Sequence, residues 1–123
     1  MDRDSLEAAL TRRRRRSDKR GQYAAVLVPI IDDGGPLRIL LTRRTEQLPT
    51  HKGQVAFPGG RVEAEDTGPI DTALRETHEE IGMASEYVDV LGRLDDFPTV
   101  TDEMMVTPVV GWITEVPTLV ASP

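Results

Sequence analysis

Three carboxylates, Glu76, Glu79 and Glu80, stand at i, i+3 and i+4 in a segment of helical periodicity. At about 100° per residue they fall on one arc of a helix. Like charges at that spacing repel one another, so the arrangement costs stability unless a cation sits among them. Hard divalent cations, which take oxygen ligands, suit such a place. The competing reading is a solvated acidic flank of a surface helix.

The elements that must carry these side chains follow from the neighbouring residues. Ile70, Ala73, Leu74, Thr77 (through its methyl) and Ile81 form a separate stripe that can pack on a core. Pro69 suits a first helical turn and Gly82 a helix C-terminus, which predicts a helix over residues 70–81. Just upstream, Pro58, Gly59 and Gly60 allow the backbone to approach a ligand with no Cβ in the way, and residues 61–69 form a connecting loop. Arg75 lies on an arc apart from the three glutamates, where an ion pair with Asp66 would clamp loop to helix. His78, between the apolar stripe and the acidic face, reads as a bystander.

Residues 60–83 resemble the signature of the Nudix hydrolases, GX5EX7REUXEEXGU, with U a bulky apolar residue. Gly60, Arg75, Glu76, Glu79, Glu80, Gly82 and Met83 match it. Three positions depart: the first acidic residue is Asp66 rather than glutamate, eight residues rather than seven stand between it and Arg75, and Thr77 fills an apolar slot. Asp66 is shorter by a methylene, and the extra loop residue restores its reach to Arg75.

A second resemblance lies upstream. Leu40, Leu41, Thr42, Arg43, Arg44 and Thr45, followed by residues 53–60, look like the additional motif LLTxRSx3Rx3GxxxFPGG of the coenzyme A pyrophosphatase branch. Thr45 keeps the hydroxyl of the pattern's serine, and Pro49 replaces its second arginine. Lys52, Arg43 or Arg44 can supply the missing cation. Arg43, Arg44, Thr45, Lys52 and Gln54 are therefore the expected substrate-binding residues. His51 and Lys52 either reach a phosphate or are ordinary loop polars, and Asp102 and Glu103 either add a carboxylate or form a solvated turn.

The chain's 123 residues suffice for one domain. Its apolar content of 38% and charged content of 29% fit a soluble globular protein, and no apolar run approaches the length that spans a bilayer. Without cysteine there is neither a disulfide nor a thiolate metal site. A cytoplasmic protein without membrane partners is the simplest expectation. The net charge of -6 hides an asymmetry: residues 1–20 hold eight Lys or Arg against four Asp or Glu. The acidic remainder disfavours nonspecific nucleic-acid binding, against which the arginines at 12–16 pull. That run reads as a solvated helix face or tail, as a lure for phosphorylated substrates, or as an RNA contact.

Periodicity and breakers predict a basic helix or tail over residues 1–20, helical from 5 to 19 with Ser5 as its cap and Leu6, Ala9 and Leu10 as its apolar stripe. A domain over residues 21–123 would follow. Strands are expected at 23–31, with Pro29 marking an edge or bulge, and at 37–43 across the Asp32, Asp33, Gly34, Gly35, Pro36 turn. Further extended pieces are expected at 54–57, 87–97 and 104–114. Strands around a functional helix argue for an α/β sandwich.

The resemblance implies an α/β/α sandwich with a mixed sheet, magnesium or manganese on Glu76, Glu79, Glu80 and the Gly60 carbonyl, and structural roles for Arg75, Asp66, Gly59 and Gly82. Glu79 is the expected essential ligand and Glu76 the leading base. The implied reaction cleaves the diphosphate of coenzyme A or its thioesters into 3′,5′-adenosine bisphosphate and 4′-phosphopantetheine. NADH, a nucleotide sugar or a nucleoside triphosphate is the alternative substrate, and a catalytically silent nucleotide-, protein- or RNA-binding domain the alternative class. The family usually continues past the strand at 104–114 into another strand and a closing helix. An open sheet face is expected here, with the chain a shortened piece or a partner subunit, such as a second copy, as its cover.

Overall fold

The structure, a computed structural model, describes residues 1–12, 22–43, 55–99 and 104–120. Its elements are α1 (Arg3–Arg12), β1 (Gln22–Ile31), β2 (Arg38–Ile39), β3 (Thr42–Arg43), β4 (Val55–Ala56), β5 (Gly59–Arg61), α2 (Pro69–Ile81), a 3-10 turn (Ser85–Tyr87), β6 (Asp89–Arg93), β7 (Phe97–Pro98) and β8 (Met104–Ile113). The larger sheet runs β2-β1-β8-β6, with β5 also on β1 and β7 also on β8. β1 and β8 pair in parallel over their whole lengths and every other pair is antiparallel, so the sheet is mixed. β3 and β4 form a separate small ladder.

Alternation along β1 and β8 divides the core between two faces. Ala25, Leu27 and Val109 meet Ala73 of α2 on one face. Val110 and Trp112, with Leu91 of β6, meet Leu6 and Leu10 of α1 on the other. Helices thus stand on both faces, as the α/β sandwich expectation required. β1 is apolar on both sides because both are covered in part. Full burial of Leu27 alone contributes about 2 kcal/mol.

Several boundaries differ from expectation. α1 starts at Arg3, and its cap is Asp2 rather than Ser5: the Asp2 carboxylate accepts the Ser5 N–H at 2.8 Å, which places Ser5 in the first turn. Ala9 is exposed while Leu6 and Leu10 pack. The strand expected at 37–43 divides into β2 and β3, because Ile39 and Arg38 pair with β1 whereas Thr42 and Arg43 pair with β4. The strand expected at 87–97 divides too, into a 3-10 turn, β6 and β7. A register shift between Val90 and Gly92 bulges β6.

Pro29 does not mark an edge. It lies inside β1, opposite Gly111 of β8 and fully buried. Its carbonyl accepts the Leu40 N–H at 3.1 Å, and both groups of a strand residue point the same way, so the missing N–H faces away from β8. On that side the partner changes from β5, which ends opposite Val26, to β2, which begins opposite Ile30. The proline thus leaves the β8 ladder whole and forgoes only the return bond to the Leu40 carbonyl, at the margin where β2 ends.

Residues 114–120 are packed against the domain. Val116 and Leu119 cover Ile31, Ile81, Met83 and Ile113, and the Val120 N–H bonds the Ile81 carbonyl at 2.8 Å. α1 covers only part of the face opposite α2. Beside it lies a largely apolar cavity of about 480 Å³ lined by Val26, Val28, Phe57, Leu94, Phe97 and Pro108, with Asp95 at its margin. Among the described residues no helix is long and apolar enough to cross a membrane.

Candidate active site

α2 begins one residue before its expected start and ends where expected. Pro69 occupies its first turn, and Gly82 closes it in the left-handed conformation at φ 75°, donating to the His78 carbonyl at 2.9 Å. Ala73, Thr77 and Ile81 are buried as the stripe predicted, and Leu74 packs beside them. Ile70 instead stands 36% exposed, and Thr72, outside the stripe, is fully buried because it turns toward the loop at residues 62–68. Thr77 satisfies its hydroxyl on the Ala73 carbonyl at 2.7 Å, which is how a polar residue serves in an apolar slot.

The two glycines of β5 do different work. A Cβ on Gly59 would lie 2.3 Å from the Ala25 carbonyl oxygen, so β5 can pair this closely with β1 only without a side chain there. A Cβ on Gly60 would lie 2.5 Å from the Glu76 carboxylate. Gly60 thus makes the floor on which Glu76 rests, and the sheet register that pairs Gly60 with Ala25 sets the depth of that floor.

Arg75 ties loop and helix together. Its Nε and Nη2 donate to the two Asp66 oxygens at 2.9 and 3.0 Å, and Nη2 also reaches the Arg61 carbonyl at 3.1 Å. The expected Asp66 clamp is therefore present. The expectation that Arg75 keeps to an arc apart from the glutamates is corrected: its long side chain brings Nη1 within 3.1 Å of both Glu76 and Glu79 and within 3.5 Å of Glu63. The hydrogen bond from Arg75 holds Asp66 well below the usual carboxylate range, with the Glu63 N–H next in weight. Burial pushes Glu76 up, opposed by Arg75, while the Glu79 charge adds to the rise.

Glu76 is half-buried and Glu79 exposed, and Glu80, one turn beyond Glu76, is half-buried. Among the described residues no three acidic or histidine side chains converge in metal-ligating geometry. The positive charge beside Glu76 and Glu79 in this arrangement is the Arg75 guanidinium. The donor set is all oxygen, the ligand type that hard divalent cations take, and the lack of a Cβ on Gly60 leaves the Glu76 carboxylate its place. Arg43 is exposed and pairs with Val55 across the β3-β4 ladder. Arg44, Thr45, Lys52 and Gln54, with His51, Asp102 and Glu103, lie outside the described residues.

Two features went unread in the sequence. Thr72 carried no motif signal, and only its place one turn after Gly68 hinted that it could reach the loop. The cavity joins residues from four separate stretches of the chain, Phe57 and Phe97 being its only phenylalanines.

A carboxylate-bearing helix clamped to a glycine-floored loop on a mixed sheet defines the class. The sequence model of the NUDIX domain matches residues 21–117, and the chain belongs to that family. It is 52% identical over 92 residues to an uncharacterized Nudix hydrolase NudL of Pectobacterium atrosepticum, covering 75% of this chain and 47% of the relative. It is 42% identical over 91 residues to Nudix hydrolase 3 of Caenorhabditis elegans, covering 74% of this chain and 38% of the relative. The chain spans about half the length of the curated relatives it matches, or less. Among solved structures it superposes on the Nudix hydrolase RenU of M. smegmatis with a TM-score of 0.68 at 24% identity, covering 83% of this chain and 65% of that one. It superposes on the NUDIX domain of Shewanella oneidensis NrtR, crystallised with ADP ribose, with a TM-score of 0.61 at 16% identity, covering 85% and 71%. At these identities the structures speak for the fold.

Proposed function

We propose that this chain hydrolyses a phosphoanhydride with a divalent magnesium or manganese ion, and that its substrate is coenzyme A or a coenzyme A thioester. The observation that carries the chemistry is the clamp in which Arg75, held by Asp66, joins Glu79 to the Glu76 that rests over Gly60. Glu76, Glu79 and Glu80, with the Gly60 carbonyl, are the groups that would hold the ion. When bound, such an ion neutralises diphosphate oxygens and orients the phosphorus for in-line attack.

The remaining steps belong to the chain's own residues. Glu76, half-buried over the Gly60 floor, is the group to take the proton of the attacking water. Arg75, fixed by Asp66, restrains the Glu76 and Glu79 side chains through its remaining nitrogen. Arg43 is available to the phosphates, with Arg44, Thr45, Lys52 and Gln54 following it in the motif. The cavity beside Phe57 and Phe97 is large enough to shelter an apolar or aromatic part of the substrate from water.

The upstream motif supports coenzyme A, since the β3-β4 ladder ties its two ends together beside Phe57 and Pro58. ADP ribose, the ligand of the NrtR domain, shares its adenosine diphosphate unit with coenzyme A, which keeps other adenine dinucleotides as the second reading. Product analysis on coenzyme A, acetyl coenzyme A, NADH, ADP ribose and a nucleoside triphosphate with magnesium tests the assignment. Release of 3′,5′-adenosine bisphosphate from coenzyme A, faster than turnover of the others, is expected. Preference for NADH or a triphosphate would displace coenzyme A, and ligand binding without turnover of any would leave a silent binding domain.

A further inference from the structure

The chain departs from its family's signature at one acidic position, where a shorter side chain sits on a loop longer by one residue. We propose that Thr72 is the positioning residue that makes this departure workable: its hydroxyl fixes Asp66, and through Asp66 it aims Arg75 at Glu76 and Glu79. The inference rests on the reading of those glutamates as a metal cradle.

Thr72 is fully buried, and its Oγ1 donates to Asp66 Oδ2 at 2.7 Å. The Gly68 carbonyl is also near, at 3.2 Å, but the carboxylate is closer and charged, so it takes the proton. Asp66 Oδ2 further accepts the Glu63 N–H at 2.9 Å and Arg75 Nη2 at 3.0 Å, while Oδ1 accepts Arg75 Nε at 2.9 Å. Four donors converge on one carboxylate, three on Oδ2 and one on Oδ1, and its side chain is only 2% exposed.

Of these donors, Thr72 is the one anchored in the backbone of α2, where its own N–H bonds the Gly68 carbonyl at 3.1 Å. Glu63 belongs to the loop, and the Arg75 guanidinium ends a long flexible stem. The short hydroxyl therefore sets where the carboxylate sits relative to the helix. A guanidinium is planar, so holding its Nε and Nη2 edge on Asp66 decides where Nη1 points. It points at Glu76 Oε1 and Glu79 Oε2, each at 3.1 Å. Without the hydroxyl, the shorter acid can tilt toward the loop, and the far edge of the guanidinium swings with it.

The test pairs Thr72→Val, which keeps the volume and loses the hydroxyl, with Thr72→Ser, which keeps the hydroxyl and loses a buried methyl. Binding of Mn2+ alone is followed by the paramagnetic resonance signal of the free ion, and the Arg75 Nε–H resonance is followed by NMR without metal. Outer-shell partners of metal ligands are worth 10- to 100-fold in affinity, so Thr72→Val should bind Mn2+ about 10-fold more weakly and Thr72→Ser about as well as wild type. The Arg75 Nε–H signal should move in the valine variant and hold in the serine one. Both variants lower the melting temperature, so a loss of binding that follows melting temperature in both overturns the proposal, since that is packing alone. Equal Mn2+ affinity in wild type and Thr72→Val overturns this proposal alone, whereas no uptake by wild type overturns the metal reading and this proposal with it.

Discussion

Arg75 and Asp66 meet edge to edge, with Nε on one carboxylate oxygen at 2.9 Å and Nη2 on the other at 3.0 Å. The same guanidinium touches Glu76 and Glu79 with its remaining nitrogen. One side chain thus joins the structural half of the signature to its chemical half.

That pairing makes stability depend on acid in a stated direction. Because Arg75 and the Glu63 N–H hold the Asp66 carboxyl below its ordinary value, the ionised form stabilises the fold. The contribution is complete above the unfolded value of about 4 and is lost as pH falls from there through the folded value. Melting curves between neutral pH and pH 2 should therefore drop more steeply for wild type than for Asp66→Asn. Parallel curves for the two proteins would show that Asp66 carries no such coupling.

Glu79 is exposed and Glu79→Gln removes a charge but almost no volume, so its melting temperature should stay close to that of wild type. Turnover should nevertheless fall by about 100- to 1,000-fold, the worth of several kcal/mol of charge stabilisation. Magnesium-dependent steady-state rates on coenzyme A decide the matter. Unchanged activity in a folded variant would remove Glu79 from the ligand set.

The neighbouring glycines should fail differently. In Gly59→Ala the new methyl meets the backbone of β1, which cannot yield cheaply, and stability should fall by about 1 to 3 kcal/mol. In Gly60→Ala it meets the Glu76 carboxylate, a flexible side-chain end that can move aside, so activity should suffer more than stability. Denaturant titrations and rates on both variants give the comparison, and equal loss of stability in the two would refute the division of roles.

α1 reports on itself through the chain's single tryptophan. Trp112 is 2% exposed in the cluster that Leu6 and Leu10 pack against, and a Cβ on Gly92 would stand 3.1 Å from Leu10. Leu10→Ala should destabilise the protein by about 1 kcal/mol and shift Trp112 emission to longer wavelength. Emission identical to wild type would mean that α1 does not cover this face in solution.

Residue order alone determined the helix of the signature, its proline start and glycine stop, the Asp66 clamp and the run of carboxylates, because each depends on contacts between residues a few positions apart. It also carried the sandwich class, through the alternation of short strands with one strongly patterned helix. The three-dimensional packing decided what depends on pairing over long distance. Pro29 is tolerated inside the sheet because two partner strands meet beside it, and β2 separates from β3 because their partners differ. Arg75 touches the glutamates because a helical wheel assigns directions to Cβ atoms, whereas a guanidinium acts some distance beyond its own. The buried hydroxyl of Thr72, the Gly60 floor and the cavity between Phe57 and Phe97 arise only when strand register brings distant segments to one place, and register is a property of the folded sheet.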